Sequence, residues 1–309
     1  MTAQSRGGEL AGSVAHVRTG IAVVGPGAVG ATVAARLYKA GHTVVLYGRT
    51  RRDELEVRPD GDEPIIVPGP VHTDPGELSG PADLVFLTVK ATQVDEAARW
   101  LPALSDENTT VCVLQNGVEQ VELVQPHCPR SAVVPGIVWF GAETQPGGWV
   151  RLRTETSLTL PASAEFVIDV LSAAGCAVTA ATDFTTEAWR KLLVNALAGF
   201  MVLSGRRSGM FRRHDIAALS RAYLAECLAV ARAEGAHLDD DVIAEMAQMF
   251  ENAPEDMGTS MLFDRVANRP LEWDIRNGVI LRKARQRGVA VPISEVIVPL
   301  LAAASEGPG

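Results

Sequence analysis

A glycine-rich turn near the amino terminus limits the possible folds of this chain more than any other part of its sequence. The turn runs from Gly25 to Gly30 and has the spacing G-x-G-x-x-G. An apolar, β-branched stretch at 21–24 precedes it, and a stretch with helical spacing at 31–40 follows it. A second apolar stretch comes next, at 43–47. This order of strand, glycine turn, helix and strand predicts the first unit of a dinucleotide-binding sheet.

The residues of this turn suit a pyrophosphate group. Gly25 permits the tight turn, Gly27 lets the backbone approach the pyrophosphate, and Gly30 lets the helix pack close to the strand. The amino terminus of the helix then faces the anion. We therefore expect the whole turn to bind the cofactor, and it consists of Gly25, Pro26, Gly27, Ala28, Val29 and Gly30. A glycine turn with a purely structural role is the alternative.

The segment after the second strand favours a phosphorylated cofactor. An NAD enzyme usually has Asp or Glu at this position, where it binds the ribose 2′-hydroxyl. This chain has Gly-Arg-Thr-Arg-Arg at 48–52 instead. Three arginines without a carboxylate favour the 2′-phosphate of NADPH, and Arg49 is the best candidate for a charge-assisted contact. A solvated basic loop is the alternative interpretation.

The chain divides into a mixed half and a helical half. Strand and helix patterns alternate in the first half, with strands expected at 65–67 and 133–140 among others, which predicts a parallel sheet with helices on both faces. The patterns of the second half are all helical, with helices expected over 186–203 and 272–287 among others. The sequence therefore predicts an α/β protein with a flexible amino-terminal tail at 1–19, a Rossmann-type NADP-binding domain at 20–184, and an all-helical domain at 185–309.

Composition and charge exclude several classes of protein. The chain has 28 basic and 37 acidic residues, and this net charge of −9 argues against a nucleic-acid or anionic membrane partner. No run approaches the roughly 20 apolar residues of a membrane helix. The four cysteines and six histidines are scattered without the spacing of metal ligands, so no metal site is predicted. Reduced, mostly buried thiols in a cytoplasmic protein are expected.

Five separated motifs resemble those of the ketopantoate reductase (2-dehydropantoate 2-reductase) family. They follow the family's order and cover nearly everything from residue 20 to about residue 303. They are the glycine turn, Val-Lys-Ala at 89–91, Gln-Asn-Gly at 115–117, Trp-Arg-Lys-Leu-Leu-Val-Asn at 189–195, and the run from Ser260 to Gly278. The resemblance implies an NADPH-binding domain, a helical substrate and catalytic domain at 185–309, and a site in the cleft between them. Hydride transfer from the nicotinamide to the ketone of a small 2-oxo acid is the reaction that it implies.

The lysine of the fourth motif is the candidate proton donor. Reduction of a ketone builds negative charge on its oxygen, which then needs a proton. Only four of the 28 basic residues are lysines, and a lysine can give up a proton whereas an arginine cannot. The resemblance implies that Lys191 is the general acid. Helical spacing places Asn195 on the same face, where its amide can hold the substrate. A lysine that snorkels on an amphipathic helix is the alternative for Lys191.

The resemblance also implies roles for four residues outside this motif. Glu272, which follows Pro270 and is expected in the first turn of a helix, helps to organise the site and supports the lysine and the substrate hydroxyl. Ser260 binds the substrate carboxylate. Lys90 and Asn116 lie near the nicotinamide ribose and the substrate. Each has a structural alternative: a capping glutamate, a helix N-cap serine, a cation at a strand end, and a turn asparagine.

The chain departs from the family at one position of the catalytic helix. The family commonly has a second asparagine four residues after the first, followed by proline. Gly199 and Phe200 stand at these positions here. The change predicts a roomier or more apolar pocket and leaves the identity of the substrate open.

The resemblance implies NADPH-dependent reduction of 2-dehydropantoate to pantoate in pantothenate and coenzyme A biosynthesis. Two alternatives stay open at this point. One is a related NADPH-dependent reductase of another 2-oxo or β-hydroxy acid, and the other is a non-catalytic NADP-binding regulator. The sequence does not define the oligomeric state, and a homodimer is one open arrangement.

Overall fold

A computed structural model describes residues 20–78 and 80–307, so the tail predicted at 1–19 lies outside the described residues. The strands in chain order are β1 (Ile21–Val24), β2 (Val44–Tyr47), β3 (Glu54–Pro59), β4 (Ile65–Pro68), β5 (Val71–His72), β6 (Leu84–Leu87), β7 (Thr110–Val113), β8 (Ala132–Pro135), β9 (Ile137–Val138), β10 (Ala142–Thr144), β11 (Val150–Leu152), β12 (Ser157–Pro161) and β13 (Ala177–Ala181).

The helices are concentrated after the last of these strands. In chain order they are α1 (Ala28–Lys39), α2 (Val94–Ala97), α3 (Leu101–Leu104), α4 (Gln120–Val124), α5 (Glu165–Ala173), α6 (Phe184–Leu197), α7 (Gly199–Ser204), α8 (His214–Ala233), α9 (Asp241–Asn252), α10 (Ser260–Val266), α11 (Val279–Arg287) and α12 (Pro292–Ser305). A mixed half followed by a helical half is the predicted fold class, which is confirmed.

Six parallel strands form the central sheet, in the order β5-β2-β1-β6-β7-β8. Strand β1 lies between β2 and β6, so that Val24 is opposite Tyr47 on one side and Leu87 on the other. The strand order reverses at β1: β2 and β5 lie on one side of it, and β6, β7 and β8 lie on the other. In a doubly wound sheet this reversal opens a crevice at the carboxyl ends of the strands, and ligands bind there.

Helix α1 packs between the central sheet and a second sheet, whose order is β10-β11-β3-β4. The helix is buried on nearly all sides, from Gly30 to Ala35 and at Leu37. Most of these side chains are small, which lets two sheets pack against one helix. The apolar stretch of β4 was predicted as a strand. Its antiparallel partner β3 and this second sheet were not predicted.

The strand predicted at 133–140 is two strands in the structure. The break falls at Gly136, where a Cβ atom would lie 2.6 Å from Leu114 Cδ2 and 3.0 Å from Leu160 Cδ2. Strand β8 stays in the central sheet, whereas β9 joins a third sheet of order β13-β12-β9. The chain that leaves β9 passes toward the helical half and carries Trp139 with it.

The helical half surrounds its own apolar core. Tyr223 and Phe200 stack in this core with ring centroids 5.3 Å apart. The helix predicted over 186–203 is interrupted, because α6 ends at Leu197 and α7 begins at Gly199. Each helix within the described ranges is too short or too polar to cross a bilayer. The four cysteines of the chain are buried as free thiols.

A π-helical turn at Asp274–Gly278 leads into α11. The sequence predicted an ordinary helix over 272–287. A Cβ atom on Gly278 would lie 2.6 Å from Asp274 Oδ1, so the wide turn uses a glycine where the chain is crowded. Single π-helical turns are frequently found at functional sites.

Candidate active site

The glycine turn at the end of β1 has the geometry that a dinucleotide requires. Gly25 has φ +86°, and a Cβ atom there would lie 2.3 Å from Val89 Cγ1. A Cβ atom on Gly30 would lie 2.7 Å from the carbonyl oxygen of Gly25. At Gly27, by contrast, the nearest atom would be that same oxygen, at 4.0 Å. Two of the glycines are therefore needed for packing, and the third leaves the backbone open to an approaching group.

The start of α1 supplies hydrogen-bond donors at the same place. The amide of Ala31 donates to the carbonyl of Gly27, at 2.8 Å, as the first hydrogen bond of the helix. The amides of Ala28, Val29 and Gly30 belong to the first turn of the helix and have no acceptor within it. Such amides bind anions at the starts of helices. The geometry of the turn therefore suits a pyrophosphate, and cofactor binding by these residues stays a prediction.

The three arginines after β2 differ in their surroundings. Arg52 Nη1 donates to the carbonyl of Gly148, at 2.6 Å, which fixes that side chain against the second sheet. Arg51 is exposed. Arg49 is 61% exposed and has a long ion pair with Glu96, at 3.4 Å. Because a surface pair of this length contributes little stability, Arg49 is available for a phosphate ligand.

Helix α6, which carries Lys191, starts at a well-defined cap. The carboxylate of Asp183 accepts hydrogen bonds from the amide and the hydroxyl of Thr186, at 3.1 and 2.7 Å. His237 donates to the same carboxylate, at 2.8 Å, and these hydrogen bonds lower the pKa of Asp183 to about 2. The cap fixes where the helix begins and hence which face turns to the cleft.

Lys191 lies over an aromatic ring rather than beside a carboxylate. Its Nζ atom is 4.2 Å from the ring centroid of Trp139, a cation–π distance. The indole is held in place because Trp139 Nε1 donates to Thr159 Oγ1, at 3.0 Å. Burial lowers the pKa of Lys191 to about 8, and the charge of Arg276 adds to this effect. Such a lysine can both donate and recover a proton near neutral pH.

Two asparagines and Glu272 form a chain of hydrogen bonds across the cleft. Asn195 Nδ2, on α6, donates to Asn116 Oδ1, at 3.2 Å. Asn116 Nδ2, at the end of β7, donates to Glu272 Oε2, at 3.3 Å. The structure therefore brings together three predicted residues that are far apart in the sequence, and it connects the two halves through them.

The carboxylate of Glu272 has two further partners. The amide of Ala91 donates to Oε1, at 3.3 Å, and Arg276 Nη2 donates to Oε2, at 3.1 Å. Glu272 is only 6% exposed. It lies one residue before the helical turns begin at Trp273, so its predicted place in the first turn is wrong by one residue.

Ser260 lies at the exposed edge of the cleft, as the first residue of α10. Its hydroxyl oxygen accepts a hydrogen bond from Arg276 Nη2, at 3.1 Å. The cap of this helix is the neighbouring Thr259, whose hydroxyl accepts from the amide of Leu262 at 3.4 Å. The N-cap alternative for Ser260 is therefore wrong, and its hydroxyl is available to the cleft.

Lys90 reaches across to the helical half. Its ammonium forms a short ion pair with Asp264, which is 4% exposed. Asp264 also accepts from Arg269 Nε, at 2.9 Å. The pairing with Asp264 was not predicted, and it means that the charge of Lys90 is matched within the protein.

Two residues of the cleft were missed by the sequence interpretation. Arg276 lies inside the last motif, four residues after Glu272, and this opposite-charge spacing is a signal that could have identified it. Trp139 carries no comparable signal, because its position depends on the break between β8 and β9. The ion pair of Arg276 with Glu272 and the ring of Trp139 under Lys191 become visible only in the folded chain.

The space beside Gly199 is filled. A Cβ atom there would lie 3.0 Å from Asn277 Nδ2 and 3.3 Å from Leu301 Cδ1. Asn277 is fully buried, and its amide donates to the carbonyl of Ala196 and to the hydroxyl of Tyr223, both at 2.9 Å. The expected roomier pocket at this position is therefore wrong, because a fixed amide from the π-helical turn occupies the space.

Comparisons with known proteins agree with this architecture. The family described as ketopantoate reductase PanE/ApbA matches residues 21–165, and its carboxy-terminal family matches residues 183–305. A 2-dehydropantoate 2-reductase of Mycobacterium tuberculosis is 68% identical over 293 residues, which cover 94% of this chain and 99% of that protein.

Solved structures give the same result. A PanE/ApbA family ketopantoate reductase from Ralstonia eutropha JMP134 has a TM-score of 0.83 and 29% identity, covering 93% of this chain and 98% of its own. A ketopantoate reductase from Staphylococcus aureus, described as dimeric, has a TM-score of 0.84 and 25% identity, covering 93% of this chain and 99% of its own.

The lowered pKa of Lys191 predicts a pH-dependent effect on stability. A lysine has a pKa of about 10.4 in an unfolded chain, and here it falls to about 8. Between these values the unfolded state binds more protons, so the wild-type protein gains stability as pH rises. We expect Lys191→Met to raise Tm relative to wild type at pH 7 to 8, and this advantage to shrink toward pH 10.

Calorimetric Tm measurements across this pH range test the prediction. The same series on Lys39→Met, which replaces an exposed lysine on α1, corrects for the general loss of a positive charge. A Tm difference between Lys191→Met and wild type that stays constant with pH would contradict the lowered pKa.

Proposed function

The chain belongs to the ketopantoate reductase family, and from this membership and the geometry of its cleft we propose that it reduces 2-dehydropantoate to pantoate with NADPH. One observation carries the choice of substrate: the near full-length match to the 2-dehydropantoate 2-reductase of Mycobacterium tuberculosis. The arrangement around Lys191 supports the chemistry, because it offers a proton donor beside polar groups that can hold a small acid.

The residues around the glycine turn fit NADPH. The open backbone at Gly27 and the amides from Ala28 to Gly30 would hold the pyrophosphate, and Arg49 would bind the 2′-phosphate. When it is bound, NADPH supplies a hydride to the carbonyl carbon of the substrate. The amide side chain of Asn116, at the carboxyl edge of the central sheet, would lie near the nicotinamide ribose and the substrate.

Lys191 is proposed as the general acid. As hydride reaches the carbonyl carbon, electrons move onto the carbonyl oxygen, and the ammonium of Lys191 stabilises that charge and transfers a proton to it. The hydroxy acid is then complete, and Lys191 recovers its proton from solvent. Its ammonium contacts the ring of Trp139 and is paired with no carboxylate among the described residues, so a substrate oxygen would not have to displace an ion pair.

We propose that the substrate is oriented by Asn195, Asn116 and Glu272. The two asparagines present amide groups to the cleft, and Glu272 fixes Asn116 by accepting the hydrogen bond that Asn116 Nδ2 donates. Ser260 is proposed to bind the substrate carboxylate. Lys90 is proposed to lie near the cofactor and, through its ion pair with Asp264, to hold the cleft closed.

A reductase of another 2-oxo acid is the second candidate. It is favoured by one observation, the glycine at position 199 in place of the family's second asparagine. Asn277, which occupies the adjacent space, has no hydrogen-bond partner for its Oδ1 atom within the described residues. Without an amide at position 199, the hydroxyl end of the substrate would lose one possible hydrogen-bonding group in this chain.

Three further proposals concern organisation. Residues 20–184 would form the NADP-binding domain and residues 185–309 the substrate domain. A homodimer is proposed because the Staphylococcus aureus relative is described as dimeric, and sedimentation velocity would decide this. A cytoplasmic location is supported by the four unpaired cysteines, which suit a reducing compartment.

Consumption of NADPH with a panel of 2-oxo acids tests the proposed function. We expect 2-dehydropantoate to have the highest kcat/KM of the panel. Equal or faster turnover of another 2-oxo acid would reject this substrate and favour the second candidate. Absence of turnover with every acid of the panel would reject the reductase altogether.

Replacement of the general acid should abolish most of the activity. We expect Lys191→Ala to lower kcat by about 100-fold or more, because a positioned acid contributes on this scale. In wild type, kcat should fall as pH rises through about 8, where Lys191 loses its proton, and this step should be absent in the variant. Lys191→Arg is the matched control, since it keeps the charge but cannot donate the proton. Full activity in Lys191→Arg would contradict the role.

The phosphate contact of Arg49 predicts a selective loss of cofactor binding. We expect Arg49→Ala to raise the Kd for NADPH by about 10-fold or more, as for a lost charge-assisted hydrogen bond, with little change for NADH. Fluorescence titration of both cofactors measures this. Arg51→Ala, also exposed, is the matched control. An equal effect of Arg49→Ala on both cofactors would exclude the 2′-phosphate contact.

A further inference from the structure

Arg276 is a buried cation whose hydrogen-bonding capacity is only partly used. Its side chain is 3% exposed, at the centre of the π-helical turn Asp274–Gly278. Within the described residues, both of its hydrogen bonds are made by one nitrogen, Nη2, which donates to Glu272 Oε2 and to Ser260 Oγ. The Nε atom is buried without a partner. An unsatisfied buried donor on a charged group is costly unless a ligand completes it.

The positive charge of Arg276 is also only partly balanced. Its one ion-pair partner in the described chain is Glu272, and that carboxylate is shared with the amides of Ala91 and Asn116. Lys191 lies close enough for the charge of Arg276 to contribute to its lowered pKa, and it pairs with no carboxylate among the described residues. Two neighbouring cations with one shared carboxylate make this part of the cleft attractive to an anion, although the chain as a whole is acidic.

Ser260 is prepared by Arg276 to act as a donor. Because its oxygen accepts from Arg276 Nη2, its own proton points away from the guanidinium. A carboxylate suits this pair of donors, because its two oxygens can accept one hydrogen bond each and its negative charge offsets that of the guanidinium. The planar guanidinium is the side chain best suited to bind it.

We propose, resting on the function proposed above, that Arg276 is a specificity-determining residue that binds the carboxylate of the 2-oxo acid together with Ser260. In a 2-oxo acid the ketone is bonded directly to the carboxylate carbon. A carboxylate held at Arg276 therefore brings the ketone oxygen into the region of Lys191, the neighbouring cation. The position of the carboxylate thus fixes which atom receives the proton.

A purely structural role is the rival explanation. In that case Arg276 would serve only as the counter-ion of Glu272, and its loss would reduce turnover of every substrate alike. The two roles differ in their dependence on substrate charge. A carboxylate contact is lost only for substrates that carry a carboxylate, so a neutral analogue distinguishes them.

The experiment compares 2-dehydropantoate with its neutral lactone as substrates of wild type and Arg276→Gln. We expect the variant to lose about 100-fold in kcat/KM for the acid, mainly through KM, because a charge-assisted contact is lost. Turnover of the lactone should change by less than about 5-fold, so the preference for the acid collapses. An equal loss for acid and lactone would overturn the proposal.

Two further variants keep the test decisive. Arg276→Lys preserves the charge beside Glu272 but lacks the planar fork, so we expect it to fold and to raise KM for the acid by about 10-fold while the KM for NADPH stays unchanged. Wild-type KM for the acid in Arg276→Lys, together with an unchanged acid preference, would also overturn the proposal. Arg282→Gln, which removes a half-exposed arginine paired with Glu119 and Asp274, is the matched control.

The test separates this inference from the function on which it rests. If the panel identifies another 2-oxo acid as the best substrate, the same comparison is made between that acid and its neutral ester. The carboxylate contact of Arg276 can therefore be tested even if 2-dehydropantoate is not the substrate. Binding of the hydroxy acid product and its lactone to the enzyme with NADP⁺, measured by calorimetry, gives the same comparison if the neutral ketone is not turned over.

Discussion

The buried carboxylate of Glu272 joins the two halves of the protein at the cleft. From the first half it receives hydrogen bonds from the amide of Ala91 and the side chain of Asn116, and from the second half it receives one from Arg276. A buried carboxylate is stable only when its oxygens are satisfied. These bonds therefore tie the ends of the central strands to the π-helical turn. Asn195 joins helix α6, which carries Lys191, to the same network through its hydrogen bond to Asn116.

The local parts of the fold could be predicted from the sequence. The glycine turn, strand β1 and helix α1 follow from apolar periodicity and from residues that permit a tight turn, and both are properties of a few neighbouring residues. Strand β3 was missed because Leu55 and Val57 stand isolated between charged residues, and because one of its two partners, β11, is distant in the chain. The break at Gly136 results from packing against Leu114 and Leu160, which no local pattern reveals.

Three residues that the sequence singled out, Asn116, Asn195 and Glu272, lie together in the folded chain, and their roles stay predictions. Their hydrogen bonds to one another depend on the tertiary structure, and so does the ion pair of Lys90 with Asp264. Arg276 reaches this network from a π-helical turn, a local geometry that helical periodicity does not distinguish from an ordinary helix.

Helix α1 differs from the rest of the cleft in how firmly it is held. Sheets pack on both of its sides, and its residues from Gly30 to Ala35 are buried. The backbone of the preceding turn is fixed by the same packing, because Gly25 and Gly30 have no room for a side chain. Fixing a residue costs roughly 1–2 kcal/mol of conformational entropy. In this turn that entropy is already lost when the chain folds, so binding a nucleotide does not require it to be lost again.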